Sequence, residues 1–220
     1  ATRTYRAHPA LHFQVGALQG DGEVELLLQR HRPRWVIDAT HPFAAVISSR
    51  LQRCCHGQGQ PLLRLQRDAT LAGSGTRINQ LEELQGLPLS GERLLLAIGS
   101  RHLATALRVS SASQHFARVL DNPESLRLAL AAGLPAEQLA CVRPGLLPEG
   151  AIERALCRRW RISAVLCRQS GGLTQQIWQS LSQELGLRLI QIKPPGDAAE
   201  QGLPQEAILR QVGAPQGRHE

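Results

Sequence analysis

The chain has 220 residues, 42% of them hydrophobic but only 3% aromatic, so its core must be aliphatic. Its net charge is +7 with a pI of about 10.1, and every basic residue but Lys193 is an arginine. No apolar run approaches the ~20 residues of a membrane span, and residues 1–6 lack the apolar stretch of a leader peptide.

The predicted elements run in chain order as follows. Residues 11–15 read as a strand, and 23–32 as a helix with Val24, Leu26, Leu27 and Leu28 apolar. A buried strand over 35–39 leads into a helix over 42–56, with Pro42 in its first turn, where no backbone donor is needed. A strand over 61–65 completes a βαβαβ series, which implies a parallel sheet with helices on its faces. The stretch 68–91 holds Gly73, Gly75, Gly86, Pro88 and Gly91 and reads as a change of domain. The alternation then restarts. Strands are predicted over 93–98, 116–120, 139–142, 162–167 and 188–192, and helices over 101–107, 123–132, 149–160, 173–185 and 204–212. The expected fold class is α/β: two Rossmann-like, doubly wound parallel-sheet domains, residues 1–88 and 89–213, a ligand cleft between them, and a frayed tail over 214–220.

Arginine presents a planar fork that suits carboxylates and phosphates. The arginines are dispersed, with modest clusters at Arg30-Arg32-Arg34 and Arg158-Arg159-Arg161, and aromatic residues for base stacking are few. A small polyanion therefore fits better than a nucleic acid. The cysteines Cys54, Cys55, Cys141, Cys157 and Cys167 show no C-x-x-C spacing and no neighbouring histidine cluster, so they read as reduced apolar fillers and no metal site is expected.

Several strand ends carry residues able to do chemistry. Asp38-Ala39-Thr40-His41-Pro42 joins a strand to a helix, with Thr40 or Asp38 available as a cap. His41 there could donate to an anion or transfer a proton. Gly99-Ser100-Arg101 follows another strand, with a glycine for close backbone approach and a cation beside it. Arg168-Gln169-Ser170-Gly171-Gly172 precedes a helix and could cradle a phosphate, although it is not G-x-G-x-x-G. Arg143-Pro144-Gly145 and Lys193-Pro194-Pro195 add cations at the same sheet edge.

The run Val36-Ile37-Asp38-Ala39-Thr40-His41-Pro42-Phe43-Ala44 resembles the D-A-T-H-P-[FY]-A signature of the precorrin-6A and cobalt-precorrin-6A reductase family. Gly59-Gln60-Pro61-Leu62-Leu63-Arg64-Leu65 is similar to the family's G-x-P-x-x-R-L strand, and Ile98-Gly99-Ser100-Arg101, Arg143-Pro144-Gly145, Ser170-Gly171-Gly172 and Lys193-Pro194-Pro195 follow in the family's order. The resemblance spans residues 35–195. It implies an enzyme that uses NADPH to reduce the macrocycle of precorrin-6A, or its cobalt form, to the 6B compound on the route to vitamin B12. The substrate is then a small-molecule polycarboxylate tetrapyrrole. By the matching motifs, Thr40, His41, Arg64 and Arg143 would meet substrate, with His41 the catalytic candidate. Gly99, Ser100, Arg101, Arg168, Ser170, Gly171 and Gly172 would meet cofactor.

The chain departs from the family pattern in three places. The opening strand and Gly-rich turn expected before the segment resembling residues 1–15 are absent, so the N-terminal domain is expected to lack its first strand. Arg168-Gln169 stands where the family often has Lys before Ser-Gly-Gly, and an R-P-x-W stretch is reduced to Arg67-Asp68-Ala69. The missing opening motivates a second reading, a catalytically silent tetrapyrrole- or nucleotide-binding fragment. A basic nucleic-acid-binding protein is a third, disfavoured by the low aromatic content. A cytoplasmic protein without membrane or nucleic-acid partners is expected; the sequence leaves the oligomeric state open.

Overall fold

A computed structural model of the chain describes residues 10–14, 16–66, 75–143, 150–195 and 202–213. The chain forms two compact units: Ala1–Asp38 with Val46–Leu63, and Ala39–Ala45 with Arg64–Glu220.

In the first unit, helix α1 (Asp21–His31) has Asp21 and Glu23 in its first turn and Arg30 and His31 in its last, which complements the helix dipole. It buries Val24 and Leu28 against Cys54 and Cys55 of α2 (Ala45–Gly57). Asp21 ties the two helices together, 3.0 Å from Arg50 Nε and 2.9 Å from Arg53 Nη2. Those hydrogen bonds, Arg53's foremost, hold its carboxyl below the usual range. Two short strands, β1 (Val36–Asp38) and β2 (Leu62–Arg64), pair beside them.

The second unit is built on a six-stranded parallel sheet. Its strands are β3 (Thr76–Ile78), β4 (Arg93–Ala97), β5 (Gln114–Leu120), β6 (Leu139–Val142), β7 (Ala164–Arg168) and β8 (Arg188–Ile192), in the spatial order β3-β8-β7-β4-β5-β6. Strand β4 is apolar on both faces because both are covered. Leu94 and Leu96 enter one core with Ile78, Leu84, Leu103, Ala129 and Ile190. Leu95 enters the other with Phe116, Cys157, Trp178 and Leu181. Helices α3 (Leu103–Val109) and α4 (Pro123–Ala131) supply the first cover, and α5 (Ala151–Arg159) and α6 (Leu173–Leu185) the second. Helix α4 starts on Asn122, whose side chain accepts from the Ser125 amide at 2.8 Å, with Pro123 in the first turn. The last helix, α7 (Gln205–Gly213), buries Ile208. Just before α7, Leu203 bridges to Leu65.

The α/β class and the parallel sheet stand as read from the pattern, with differences in detail. Residues 11–14 are irregular and exposed rather than a strand; residue 15, the stretch 67–69, residues 144–145 and 149, and the tail 214–220 lie outside the described residues. Helix α2 begins at Ala45, three residues after Pro42, because the Ala44 amide closes a turn onto the His41 carbonyl at 2.7 Å. Ala44, rather than Asp38 or Thr40, is therefore the residue directly before it. The segment read as a domain break contains β3 and a 3-10 helix (Leu81–Gly86), whose Leu81 and Leu84 are buried. Strand β3 pairs with β8 in the large sheet, and Arg64 onward groups with that sheet's unit. Leu26 of α1 is exposed, as is Cys141 among the cysteines, all of which are free.

Two substitutions check this account. Leu95→Ala opens a cavity in the central strand and is expected to lower stability by about 2–5 kcal/mol in urea unfolding. Asn122→Ala removes a helix cap and is expected to lower it by about 1 kcal/mol.

Candidate functional site

Because all six strands run parallel, their carboxyl ends share one edge. The chain winds outward from β4 through β5 to β6, then returns to β7 on the other side of β4. Ligands of open α/β sheets settle at such a reversal. Here the reversal brings the turns after β4 and β7 together, with Ala97 in register with Cys167.

After β4, Gly99 adopts φ 86°, a conformation a side chain disfavours, and a Cβ there would lie 3.9 Å from Arg168 Nη2. Ser100, Arg101 and His102 follow as a 3-10 turn leading into α3. Gly99, not Ser100, is the residue that caps this turn, so Ser100 has no capping role. After β7 come the half-buried Arg168, the buried Ser170 and then Gly171 at φ 65°. The Gly171 amide donates to Gln175 Oε1 at 2.8 Å. It is thus already engaged, as is the Gln175 amide with the Gly172 carbonyl, while the amides of Leu173 and Thr174 precede any intrahelical acceptor. The buried Gln169 Oε1 nearby has no hydrogen-bond partner.

A pocket of about 330 Å³ opens on this edge, lined by Phe43, Asn79, Gln80, Leu81, Glu82, His102, Thr105, Arg168, Ile192, Lys193 and Pro195. Its apolar part comes from Phe43, Leu81 and Ile192. Cations reach it from β7 and β8, through Arg168 and Lys193. The Arg168 guanidinium stacks on the Phe43 ring, 5.0 Å from its centroid, and its side chain has no salt bridge or hydrogen bond with any described residue. Partial burial and the neighbouring Arg101 both push its pKa down. The His102 ring is likewise held below the usual histidine value by partial desolvation, then Arg168, then Arg101. Cations therefore dominate the field at Arg168 and His102, while Glu82 also lines the pocket and Arg101 also acts on Glu124.

His41 groups with this unit. Its Nδ1 accepts from the Phe43 amide at 3.2 Å, which assigns the neutral ring's proton to Nε2. The ring lies 5.7 Å from Phe43, centroid to centroid. His41, Phe43 and Arg168 thus form a row.

Of the residues singled out from sequence, the fold gathers Gly99, Arg101, Arg168, Ser170, Gly171 and Gly172 at the β4–β7 edge, with Lys193 beside them. Thr40 and Arg64 are half-buried and do not line the pocket. Arg143 follows β6, separated from β7 by β4 and β5, and pairs with Asp121 at 3.3 Å. Asn79, Gln80, Glu82, His102 and Thr105 were not foreseen. Their signal lay in β3, which is too short for a periodic pattern, and in the length of the turn after β4. Among the described residues, no group of three or more His, Cys, Asp or Glu could hold a metal, and no helix is long and apolar enough to cross a membrane.

The model of the family described as "Precorrin-6x reductase CbiJ/CobK" matches residues 1–212. The chain is 31% identical to a cobalt-precorrin-6A reductase of Synechocystis sp. over 203 residues, covering 89% of this chain and 76% of that protein. It is 30% identical to a precorrin-6A reductase of Rhodobacter capsulatus over 191 residues, covering 84% and 72%. A solved structure described as "CobK precorrin-6A reductase" superposes with a TM-score of 0.68 at 26% identity, over 93% of this chain and 84% of that one.

One expectation concerns His102. Its lowered pKa means that the unfolded chain takes up the proton first. The associated stability is full above about 6.5, the ordinary value, and is lost as pH falls through the folded value. Replacing Arg168 with Ala removes a charge that opposes protonation, so the His102 midpoint in an NMR titration should rise. An unchanged midpoint would contradict the field described.

Proposed function

The chain belongs to the precorrin-6x reductase family CbiJ/CobK, and on that premise we propose that it reduces the macrocycle of precorrin-6A, or of its cobalt form, to the 6B compound in cobalamin biosynthesis, with NADPH as reductant. A nicotinamide cofactor follows from the family's reductase chemistry; the choice of NADPH rests on the residues at the β4–β7 edge. That edge is the observation that carries the reading: two arginines, Arg101 and Arg168, and the turns at Gly99 and Gly171 meet where α/β sheets bind nucleotides.

These residues fit the cofactor. Gly99 lets a ligand approach the backbone, the start of α6 after Ser170, Gly171 and Gly172 offers amides to a pyrophosphate, and the open Arg168 fork with Arg101 suits a further phosphate. NADPH supplies the hydride. The protein's own part is to hold the reactants in register and to place charges and protons.

His41 carries that task on the substrate side. With Nδ1 accepting from the Phe43 amide, the neutral ring carries its proton on Nε2. Full protonation would place a hydrogen on Nδ1 and break the bond to Phe43. The arrangement therefore favours His41 as a hydrogen-bond donor that orients a substrate carboxylate over a role as proton donor. Thr40, Arg64 and Arg143 are proposed to meet the other carboxylates of a substrate rich in them.

The first test follows NADPH absorbance with purified protein and each of the two substrates. Oxidation with either supports the reductase reading; with a well-folded protein, none with both would favour a silent binding protein. A second test separates the roles of His41. His41→Ala is expected to lower kcat/KM roughly 10- to 100-fold, the worth of about 1.5–3 kcal/mol for a hydrogen bond to a charged group. His41→Gln, which keeps an N–H near the Nε2 position but cannot shuttle a proton, should recover most of the loss. Equal loss in both variants would instead make His41 the proton donor.

A further inference from the structure

The arginines of the second unit fall into two kinds. Arg93 stacks on Phe116 at 4.7 Å, but its guanidinium also donates to the Trp160 carbonyl at 2.6 Å and to Gln114 Oε1. Arg118 is largely buried and pairs with Glu153 at 3.3 Å. The Arg93 donors are committed within the fold, and Arg118 is held by its buried ion pair although its Nε has no partner among the described residues; both roles are structural. Arg168 shares the ring contact but has no hydrogen bond or carboxylate among the described residues, and it lines the pocket. A guanidinium that is half-buried, near a second arginine and without an anion is held in place by something other than charge pairing. Among the described residues, the Phe43 ring beneath it makes that contact.

That ring is well anchored. Phe43 is partly buried and packs against the core cluster that contains Leu81, Leu103 and Ile192. It sits in a seven-residue segment, Ala39–Ala45, that groups with this unit although β1 and most of α2 group with the other. A turn closed by the Ala44 amide on the His41 carbonyl fixes the segment locally. The face of a fixed aromatic ring is a shallow electrostatic well for a cation and sets its plane without using its donors. The Arg168 donors are thereby left for a ligand. A carboxylate in that position would hold the arginine equally well, but it would occupy the fork.

We infer that Phe43 is a positioning residue: by carrying the Arg168 guanidinium on its ring, it keeps the fork open toward a phosphate monoester and so sets the preference for a 2′-phosphorylated nucleotide over its unphosphorylated counterpart. The inference rests on the NADPH-dependent reading given above. It assigns Phe43 a role in cofactor selection, in addition to its place in the core.

The test measures binding of two probes that differ only in the 2′-phosphate, adenosine 2′,5′-bisphosphate and adenosine 5′-monophosphate, by calorimetry. The unaltered protein is expected to prefer the bisphosphate. Phe43→Leu keeps apolar volume against the core and keeps the backbone amide bound to His41, but removes the aromatic face. It should reduce the preference roughly fivefold to tenfold, the span a desolvated cation–π contact supports. Phe43→Trp, with a stronger face, should retain the preference, and Arg168→Ala should abolish most of it. A purely structural role would weaken both probes alike and leave their ratio intact. If Phe43→Leu keeps the ratio while Arg168→Ala loses it, the inference about Phe43 fails and the cofactor reading stands. If the unaltered protein binds the two probes equally, there is no 2′-phosphate site at this edge, and the cofactor reading falls together with the inference.

Discussion

The parallel pairing of β4 with β7, from Leu94 opposite Ala164 to Ala97 opposite Cys167, is the constraint on which the rest of the second unit depends. These two strands are neighbours in the sheet but lie far apart in the chain. The segments leaving them diverge toward opposite flanks, β5 and β6 on one side and β8 and β3 on the other. Their turns therefore cannot cover each other, and a crevice is left at their carboxyl ends. Both strands are buried on both faces, which holds the register: a slip of one residue would exchange Leu95 with its neighbours between two cores of different shape.

Charge at that crevice is set by what is missing around it. Elsewhere several arginines meet carboxylates. Arg50 and Arg53 share Asp21, Arg127 meets Glu124, Arg154 meets Glu184, and Arg118 meets Glu153. At the crevice burial and Arg101 lower the proton affinity of Arg168, burial and both arginines lower that of His102, and Phe43 supplies only a ring. Clustered positive charge costs free energy that a bound anion relieves. A binding site for a phosphorylated cofactor is the use this arrangement suits.

Much of the architecture was legible from local pattern. Uninterrupted apolar runs such as Leu94-Leu95-Leu96 can only be strands buried on both faces, and alternation with amphipathic segments implies parallel pairing. Helix α6 and strand β8 coincide with their predicted spans, 173–185 and 188–192. The failures share a cause. Strand β3 has three residues and no periodicity of its own; it is a strand because β8 offers it an open edge. Pro42 suggested a helix start, yet the chain turns there first, because Phe43 packs into a core assembled from residues remote in sequence. Both the unit boundary and the start of α2 are decided by such long-range contacts.

The same division applies to the site. By itself the sequence determined the chemical types available: a histidine after a strand, glycines at strand ends, an excess of arginine and a scarcity of aromatics. It also determined that these lie at strand termini, since apolar runs end where polar residues begin. Only the tertiary structure decided which of them act together. Strand order places Arg168 beside Gly99 and sends Arg143 to the far flank, where Asp121 pairs with it. It also recruits Asn79, Thr105 and Lys193 to one pocket and sets Phe43 beneath Arg168. Proximity across a sheet is a property of strand order, and strand order follows from the packing of whole faces, which no local stretch of sequence encodes.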